Sequence, residues 1–334
     1  MSDAATVSPE VVFDALFAYQ QTAALKAAID LGLFTAIDEG TQDSDTLARH
    51  VGASARGVRI LCDYLTTLNF LTKQEGRYKL SPTAAVFLSR KSSAYMGTMA
   101  QFLTLPDLKR NFDDLTGAVK RGGVAPAGNT VSEANPIWVE FARAMVPMAV
   151  ANAHAIADVI DVPSGAHVLD IAAGHGMYGI VLAQRNPSVR VTAVDWEPVL
   201  AVAKEHAQAA GVHTRFDTRA GDAFTTDLGG GYGLALITNF IHHFNAGENT
   251  TFLRKIATAL EPSGRVAIVE FVPNPDRVTP PIAARFSLTM LAGTPEGDAY
   301  TLAELTEMLD AAGFGQVQTH DLPTPQTLLI ATRR

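Results

Sequence analysis

The stretch HVLDIAAGHGMYGIVL, residues 167–182, carries the strongest fold signal in the chain. A short apolar run has Asp170 near its end, small residues and glycines follow, and an apolar helical pattern starts after Gly176. This order predicts a strand, a tight turn and the beginning of a helix. Gly174, Gly176 and Gly179 leave the backbone open to a ligand, and the helix N terminus presents unpaired N–H groups. The spacing fits a nucleotide-binding fingerprint, but G-x-G-x-x-G alone does not identify the nucleotide.

Outward from this stretch, short apolar strands alternate with helical patterns. The predicted strands are residues 168–171, 189–194, 214–220, 234–239 and 265–270, and the predicted helices between them are 177–185, 198–210 and 251–260. This alternation predicts a parallel sheet with helices on both faces, where ligands bind beyond the carboxyl ends of the strands. After a helix at 302–312, strands at 315–320 and 327–332 are joined by a loop too short for a crossover, so they must be antiparallel.

The first part of the chain has helices, a turn and a small hairpin, which is the winged-helix arrangement. Apolar residues recur at three- and four-residue steps over residues 9–31, and a later helix is predicted at 55–67. That later helix would contact DNA in a winged-helix protein, yet it offers only Arg56 and Arg59 as cations, with Asp63 among its apolar residues. Specific DNA binding needs many phosphate contacts, so packing against a second copy of the chain is favoured over DNA binding.

Between the hairpin and residue 136 the sequence has helical pieces with Gly, Pro and polar interruptions, including a predicted loop at 122–128. Asn135-Pro136 opens a predicted long helix that runs towards residue 160 and is bent at Pro147. One side of it carries candidates for the wall of a substrate pocket, namely Phe141, Met145 and Met148. Apolar residues at this spacing also suit an ordinary core face, and the sequence leaves both interpretations open.

Length and composition limit the possible classes of protein. With 334 residues, 47% of them hydrophobic, the chain suits two domains and a large core. The formal charge of −8 argues against a broad phosphate-binding surface and so against a nucleic-acid partner. The single cysteine, Cys62, forms no internal disulfide and suits a reducing compartment. We identify no export signal in residues 1–5 and no apolar stretch of membrane-spanning length, so a soluble cytoplasmic protein is expected.

Acidic residues stand at the ends of the first three predicted strands of the sheet, at Asp170, Asp195 and Asp222. Asp195 is placed to accept two hydrogen bonds from ribose hydroxyls, and its alternative role is to cap the helix that begins near Pro198. An NAD cofactor fits these observations. Three features favour a different nucleotide: Asp170 before the glycines, the antiparallel terminal hairpin, and the turn Gly221-Asp222-Ala223-Phe224, whose aromatic residue can flank adenine.

With these motifs in this order, the chain resembles the class I S-adenosylmethionine-dependent methyltransferases. Within that class it is similar to the small-molecule O-methyltransferase family, which includes plant phenolic enzymes and relatives of acetylserotonin methyltransferase. The resemblance covers nearly the whole chain and depends on the order and spacing of motifs that are individually modest. These motifs are the winged-helix region, VLDIAAGHG at 168–176, VD at 194–195, GDAF at 221–224, NFIHHF at 239–244, PSGR at 262–265 and AAGF at 311–314.

The resemblance implies an α/β fold class, with a Rossmann-like seven-stranded sheet that is parallel except for an antiparallel C-terminal hairpin. An N-terminal, mostly helical winged-helix domain would serve dimerisation. The chain would divide into a dimerisation domain at 1–90, a helical linker and substrate-pocket region at 91–160, and a catalytic domain at 161–334. The implied partners are a second copy of the chain and a small aromatic or polyketide-like acceptor, with no nucleic acid and no membrane.

The cofactor that the resemblance implies is S-adenosylmethionine. Gly174 and its backbone neighbours would approach the methionine part, Asp195 the ribose, and the turn at 221–224 the adenine. Because a sulfonium cofactor carries no phosphate, the glycine turn serves close approach rather than anion capture. The implied cofactor-binding residues are Asp170, Gly174, Gly176, Asp195, Trp196, Gly221, Asp222, Ala223, Phe224 and Asn239.

The expected reaction is methylation of a hydroxyl group. A phenol, with a pKa of about 10, needs a base to become a good nucleophile, and His242 matches the family's catalytic histidine. Glu270 matches the carboxylate that steadies this histidine. A second family carboxylate is replaced by Ala299, with Asp298 as a candidate substitute, and His243, assigned to the substrate pocket, replaces the aspartate of plant members. These departures leave an already acidic hydroxyl or a carbon acceptor open.

Other interpretations remain open from the sequence. His242, His243 and Glu270 offer metal-ligand atoms, but consecutive residues point apart and no His-x-x-x-His or cysteine partner supports a site, so no metal is expected. An NAD-dependent oxidoreductase would share the glycine motif. A non-enzymatic winged-helix regulator would bind the cofactor without transferring a methyl group, and a C-methyltransferase acting on a keto acid is the alternative within the methyltransferases.

Overall fold

The computed structural model describes residues 7–125 and 135–334. The chain forms two compact units, residues 1–105 and 106–334. Part of the predicted loop at 122–128, and the N-terminal residues inspected for an export signal, lie outside the described residues. Within the described ranges, no helix combines the length and the apolar character needed to cross a membrane.

The first unit consists of helices and one hairpin. Its elements are α1 (Glu10–Asp30), α2 (Leu33–Asp38), α3 (Ser44–His50), α4 (Ala55–Thr67), β1 (Leu71–Gln74), β2 (Arg77–Leu80), α5 (Pro82–Phe87) and α6 (Gly97–Leu103). The two strands pair antiparallel. Asp43 and Ser54 cap the N termini of α3 and α4, because their side chains accept hydrogen bonds from the N–H groups of Thr46 and Gly57. The predicted helices and hairpin are confirmed.

The helices of this unit pack on the hairpin around a small apolar core. Its fully buried side chains include Leu33, Phe34, Leu47, Cys62, Leu65 and Tyr78. The Tyr78 hydroxyl donates to Asp63 Oδ1 at 2.6 Å, which ties β2 to α4. Burial raises the pKa of the Cys62 thiol to about 12, so the thiol stays protonated at neutral pH.

Helix α1 leaves large apolar side chains in solvent. The exposed ones are Val11, Val12, Phe13, Leu16, Phe17 and Tyr19. Only Ala28 and Ile29, near the C-terminal end of α1, are fully buried. An exposed apolar surface of this kind is typical of an interaction site.

The second unit begins with helices and continues as an α/β domain. Its first helices are α7 (Pro106–Arg110), α8 (Leu115–Arg121), α9 (Ile137–Ala144) and α10 (Val146–Val159). The α/β part consists of β3 (His167–Ile171), α11 (Met177–Arg185), β4 (Arg190–Asp195), α12 (Glu197–Ala209), β5 (Phe216–Ala220), β6 (Tyr232–Thr238), α13 (Ala246–Ala259), β7 (Leu260–Glu270), α14 (Pro281–Gly293), α15 (Leu302–Ala311), β8 (Phe314–Asp321) and β9 (Thr327–Arg333).

The strands of the second unit form one seven-stranded sheet in the order β5-β4-β3-β6-β7-β9-β8. Strands β3 to β7 are mutually parallel, whereas β9 is antiparallel to both β7 and β8. The predicted fold class is therefore confirmed. From β3 the chain winds first towards β4 and β5 and then returns to β6 on the other side, so the carboxyl end of β3 is the topological switch point where ligands bind.

Several local differences separate the sequence predictions from the structure. Helix α13 and strand β7 both begin five residues earlier than predicted, at Ala246 and Leu260. The predicted long helix is two helices, because α9 ends at Ala144 and Pro147 lies in the first turn of α10, where its missing N–H costs no hydrogen bond. The third strand of the sheet starts at Phe216, since His213–Arg215 forms a 3-10 turn. Helix α14 has no counterpart among the predicted elements.

Candidate active site

A cavity lies at the switch point, against the residues that follow β3, β4, β5 and β6 and against aromatic side chains of α9. Of the residues predicted from the sequence, it is lined by Phe141, Gly174, Asp195, Trp196, Gly221, Asp222, Ala223, Phe224, Asn239 and His243. The predicted residues that do not line it are Asp170, Gly176, Met145, Met148, His242 and Glu270. Most of the expected cofactor-binding set is thus brought together, and the expected catalytic pair lies beside the cavity wall.

Asp195 connects the end of β4 to the glycine turn. Its Oδ2 accepts a hydrogen bond from Gly174 N–H at 2.8 Å, and its Oδ1 accepts one from Trp196 N–H at 2.7 Å. Burial raises the pKa of Asp195 to about 6, and the two N–H groups oppose this shift because they favour the charged form. The N-cap residue of α12 is Trp196, so Asp195 is not the cap of that helix.

Gly174 and Gly179 are each required for a different structural reason. Gly174 has a φ of +56°, and a Cβ there would meet only the Ala172 carbonyl oxygen, at 3.8 Å, so its surface is open on the cavity side. A Cβ at Gly179 would lie 2.7 Å from Val191 Cγ1 and 3.0 Å from Asp170 Oδ2. Gly179 therefore allows α11 to pack closely on the sheet.

Asp170 is fully buried in β3 beneath the glycine turn. Its Oδ2 accepts a hydrogen bond from Gly179 N–H at 3.2 Å, whereas its Oδ1 has no hydrogen-bond partner among the described residues. Burial raises the pKa of Asp170 to about 8. A buried acceptor atom without a partner is uncommon in folded proteins and is typical of functional sites.

The turn after β5 has a fixed shape and an aromatic wall. Asp222 Oδ1 accepts a hydrogen bond from Phe224 N–H at 2.8 Å, and the Asp222 carbonyl accepts one from Thr226 N–H at 2.8 Å. The Phe224 ring packs against Phe244 and Phe252, with centroids 4.6 and 5.1 Å away. The turn therefore presents Phe224 to the cavity from a packed aromatic cluster.

His242 and Glu270 form a buried pair. His242 lies in the 3-10 turn Ile241–His243 after β6, and Glu270 ends β7. His242 Nδ1 and Glu270 Oε2 are 2.7 Å apart, and Glu270 Oε1 accepts a second hydrogen bond from Phe240 N–H at 3.1 Å. The Phe286 ring of α14 packs edge-on against the imidazole, with centroids 4.7 Å apart. Because Glu270 engages Nδ1, Nε2 is the nitrogen left for proton transfer.

His243 lines the cavity next to this pair. Its ring packs edge-on against Trp138 with centroids 5.4 Å apart, and its buried Nδ1 has no hydrogen-bond partner within the described residues. Burial, with a smaller effect of His242, lowers the pKa of His243 well below its usual value, so the imidazole is neutral at pH 7. In the described parts of the chain, no group of three or more His, Cys, Asp or Glu side chains could hold a metal ion.

Asp298, the candidate substitute for the family carboxylate at Ala299, is engaged elsewhere. Its Oδ2 lies 3.1 Å from Arg277 Nη1, and its Oδ1 accepts a hydrogen bond from Ala299 N–H at 2.8 Å. Arg277 also pairs with Glu304 in the first turn of α15. Both oxygens of Asp298 therefore serve the loop before α15.

Five residues near the site were given no role from the sequence, although two of them belong to the NFIHHF motif: Trp138, Phe240, Phe244, Phe286 and Gln326. Trp138, Phe240 and Phe244 line the cavity, and Phe286 packs on His242 from α14. Asn239, which has a φ of +56°, accepts a hydrogen bond from the Gln326 side-chain amide. The Pro280-Pro281 start of α14 is a signal that could have located Phe286, because proline favours the first turn of a helix. Gln326 reaches the site only through tertiary contact.

This strand order, the antiparallel β9 between β7 and β8, and a cavity at the switch point define a Rossmann-like methyltransferase. Two family models match the chain, the O-methyltransferase dimerisation domain over residues 13–90 and the O-methyltransferase domain over residues 127–315. The chain belongs to the S-adenosylmethionine-dependent O-methyltransferase family.

Individual relatives agree with this membership. The chain is 31% identical to 3-hydroxy-5-methyl-1-naphthoate 3-O-methyltransferase from Streptomyces sahachiroi, over 95% of this chain and 92% of the relative. It superposes with a TM-score of 0.94 and 47% identity on a crystal structure of a provisionally assigned O-methyltransferase from Nostoc punctiforme, over 98% and 100% of the two chains. Human N-acetylserotonin methyltransferase in complex with S-adenosylmethionine shares the fold, with a TM-score of 0.85, 22% identity and coverage of 100% and 99%.

The protein is therefore an S-adenosylmethionine-dependent O-methyltransferase that carries a dimerisation domain. The NAD-dependent oxidoreductase and the non-enzymatic regulator are not retained. The cavity residues suit the cofactor on their chemistry: a glycine backbone open to the cavity, a carboxylate at the end of β4, and an aromatic wall after β5.

Proposed function

We propose that this enzyme transfers a methyl group to a hydroxyl of a small aromatic or polyketide-like acceptor, with His242 as the general base. The observation that carries the proposal is the buried contact of 2.7 Å between His242 Nδ1 and Glu270 Oε2. A carboxylate at Nδ1 fixes the tautomer that leaves Nε2 unprotonated, and it stabilises the imidazolium that forms on proton transfer.

The bound cofactor supplies an electrophilic methyl group on a sulfonium. His242 Nε2 would take the proton of the acceptor hydroxyl, whose oxygen would form the new O–C bond. The cofactor, held by Gly174, Asp195 and the turn at 221–224, would supply the methyl group and keep the electron pair of the C–S bond on its sulfur. Glu270 holds the imidazole in place, because its second oxygen is anchored by Phe240 N–H. Methyl transfer requires the three reacting atoms to be in line, so this rigid support has a direct effect on rate.

The cofactor roles in the proposal follow the cavity. Asp195 would accept the ribose hydroxyls, since each of its oxygens has a further lone pair beyond the N–H group it already binds. Asp222, Ala223 and Phe224, with Gly221 and Trp196 beside them, would surround the adenine. The methionine part would lie against Gly174, above Gly176 and near Asn239, with Asp170 supporting the glycine turn from beneath through its contact with Gly179 N–H.

The proposed binding site for the methyl acceptor is formed mainly by aromatic residues. Trp138, Phe141 and His243 line the cavity, and neutral His243 can give or accept one hydrogen bond. Met145 is buried and Met148 partly buried, so the interpretation that they form the substrate wall depends on an acceptor extending towards the start of α10. Relatives act on a naphthoate hydroxyl and in tetracenomycin polyketide synthesis, which supports an aromatic acceptor here.

Carbon methylation is the second candidate. A relative from Streptomyces lavendulae, 27% identical over 92% of this chain, is an L-tyrosine C(3)-methyltransferase, so related chains perform both reactions. The replacement of a family carboxylate by buried Ala299 is compatible with either acceptor.

A labelled-methyl assay tests the proposal. Purified protein is incubated with methyl-labelled S-adenosylmethionine and a panel of hydroxynaphthoates, hydroxyquinones and keto acids, and products are identified by mass and by NMR. A methyl ether on an aromatic acceptor supports O-methylation. A new methyl on carbon would instead establish the second candidate, and transfer confined to non-aromatic acceptors would contradict the proposed acceptor class.

We also propose that the enzyme is a cytoplasmic homodimer with no nucleic-acid or membrane partner. The exposed apolar surface of α1 supports dimerisation. Of the two cations on α4, Arg59 is paired with Asp63 at 3.2 Å, which reduces the positive charge available to a phosphate backbone. The division into a dimerisation domain at 1–90, a pocket region at 91–160 and a catalytic domain at 161–334 remains part of this proposal.

A further inference from the structure

Lys255, on α13, ends among backbone carbonyls of the turn after β5. Its Nζ donates hydrogen bonds to the carbonyl oxygens of Ala223 at 2.9 Å, Phe224 at 2.8 Å and Thr226 at 2.6 Å. All three contacts are with one short loop. An ammonium group has three N–H bonds, so the loop uses its full donor capacity.

The same loop forms the cavity wall. Ala223 and Phe224 line the cavity and also give their carbonyl oxygens to Lys255. One turn earlier on α13, the Phe252 ring packs against the Phe224 ring with centroids 5.1 Å apart. Helix α13 therefore supports this loop twice, by ring packing at residue 252 and by hydrogen bonds at residue 255.

Lys255 is not an ordinary surface lysine. None of the described carboxylates lies within ion-pair distance of its Nζ, and the side chain is partly buried. Burial lowers its pKa, while Asp222 and Asp227 act in the opposite direction. The charge is therefore stabilised mainly by peptide dipoles, which fixes those dipoles in return.

We propose that Lys255 is a positioning residue for cofactor recognition, which holds Ala223 and Phe224 in the geometry that recognises adenine. This inference rests on the proposed placement of adenine at Asp222, Ala223 and Phe224. With its carbonyls drawn towards α13, the loop keeps its remaining polar groups and the Phe224 ring at the cavity. Lys255 acts through the loop and does not touch the cofactor.

Loss of this support has a specific consequence. A loop released from Lys255 should bind the cofactor less tightly and should also discriminate less between adenine and a base with different hydrogen-bonding groups, because that discrimination depends on polar groups held in place. The chemical step at His242 should be unaffected. We therefore expect a higher KM for S-adenosylmethionine with little change in kcat.

The experiment compares Lys255→Met with two other variants. Lys255→Arg keeps a cationic donor, and Arg254→Met removes the neighbouring cation of the same helix, whose Nε donates to the Ala311 carbonyl instead. Calorimetry measures the affinity for S-adenosylhomocysteine and for S-inosylhomocysteine, which differs only in its base. We expect Lys255→Met to weaken S-adenosylhomocysteine binding about 10-fold and to reduce the ratio of the two affinities, with Arg254→Met unchanged and Lys255→Arg intermediate.

Two results would overturn the inference. One is unchanged S-adenosylhomocysteine affinity in Lys255→Met, and the other is an equal loss for both ligands, which would indicate general destabilisation. Lys255→Gln, which keeps one amide donor group, tests the same point where Lys255→Met does not fold. An Asp222→Ala variant distinguishes failure of the Lys255 inference from failure of the proposed adenine site. If it loses affinity while Lys255→Met does not, only the inference fails; if it binds both ligands normally, the proposed adenine site itself fails.

Discussion

At the level of single residues, the catalytic proposal depends on how two side chains are held rather than on their identity alone. Histidines are common, but His242 is buried and has Glu270 at Nδ1. Glu270 in turn is fixed by Phe240 N–H, two residues before the histidine. This closed set of contacts leaves one imidazole nitrogen with a defined protonation state, which a general base needs.

We expect His242→Ala to lower kcat by roughly 10²–10⁴-fold, the usual contribution of a positioned general base. Affinity for S-adenosylhomocysteine should stay nearly unchanged, because His242 does not line the cofactor cavity. Steady-state kinetics and calorimetry measure the two quantities. His213→Ala, an exposed histidine in the 3-10 turn before β5, is the matched control. Turnover that survives in His242→Ala would remove this residue from the mechanism.

Asp195 predicts a pH dependence of cofactor binding. Its pKa is raised to about 6, and ribose hydroxyls donate to the ionised carboxylate. Cofactor binding should therefore favour loss of the proton, so affinity rises as pH increases towards 6 and is constant above it. Below that value we expect about a 10-fold loss of affinity per pH unit.

Calorimetry with S-adenosylhomocysteine between pH 5 and pH 8 checks this expectation, together with Asp195→Asn. The variant cannot ionise, so its binding should be weak and independent of pH in this range. Asp217→Asn, which changes an exposed carboxylate of β5 paired with Arg190, serves as the control. A wild-type affinity that does not change below pH 6 would be inconsistent with the ribose role of Asp195.

The residues predicted from the sequence are those whose signal is local. The glycine turn, Asp195 and His242 each lie at or shortly after the carboxyl end of a strand. The carboxyl ends of parallel strands meet at one edge, so their proximity could be inferred. Lys255, Gln326 and Phe286 reach the site from elements distant in sequence. No spacing rule connects them to it, since their contacts depend on tertiary packing.

At the level of elements, the boundaries of strands and helices were predictable where apolar periodicity is strong. Helix α11 spans Met177–Arg185, as its apolar pattern predicts, and β9 pairs antiparallel to β8 because the loop between them is short. Helix α14 differs, because several of its apolar side chains are not fully buried. Leu288 is exposed, and Ile282, Phe286 and Leu291 are partly buried, so the apolar residues do not mark one buried face.

The loop before α15 controls the position of the catalytic turn. Gly297 packs directly on its backbone: a Cβ there would lie 2.3 Å from the His242 carbonyl oxygen and 3.0 Å from the His243 carbonyl carbon. Because both contacts are with backbone, Gly297→Ala must displace this loop or the turn that carries His242, and we expect the turn to move. A misplacement of about 1 Å can cost roughly 100-fold in rate, so we expect kcat to fall by about 10- to 100-fold.

The control for Gly297→Ala is Gly230→Ala, where the nearest atom to a new Cβ is the Ala259 carbonyl oxygen at 3.8 Å. Kinetic assays should show normal turnover in the control and reduced turnover in Gly297→Ala, with S-adenosylhomocysteine affinity retained in both. Equal activity of the two variants would show that this loop does not position the base.

At the level of the whole molecule, the exposed apolar side chains of α1 are the part of the structure that supports dimerisation. Phe13 is 52% exposed and Phe17 48% exposed, and their rings stack with centroids 6.3 Å apart. A pair of phenylalanines in water loses the free energy that burial would provide, about 25 cal/mol per Å² of apolar surface. Residues 13–90 match a dimerisation domain, so we expect a second copy of the chain to cover this surface.

We expect Phe13→Glu combined with Phe17→Glu to convert a dimer into a monomer, because two charges on each copy would have to be buried without partners. Light scattering after size exclusion should give twice the chain mass of 35.5 kDa for the wild type and a single chain mass for the variant. Val119→Glu with Val278→Glu, at side chains 61% and 64% exposed in the second unit, places the same charges elsewhere and should remain dimeric. If the α1 variant stays dimeric while the control dissociates, the dimer surface lies outside α1, and the exposed phenylalanines require another partner.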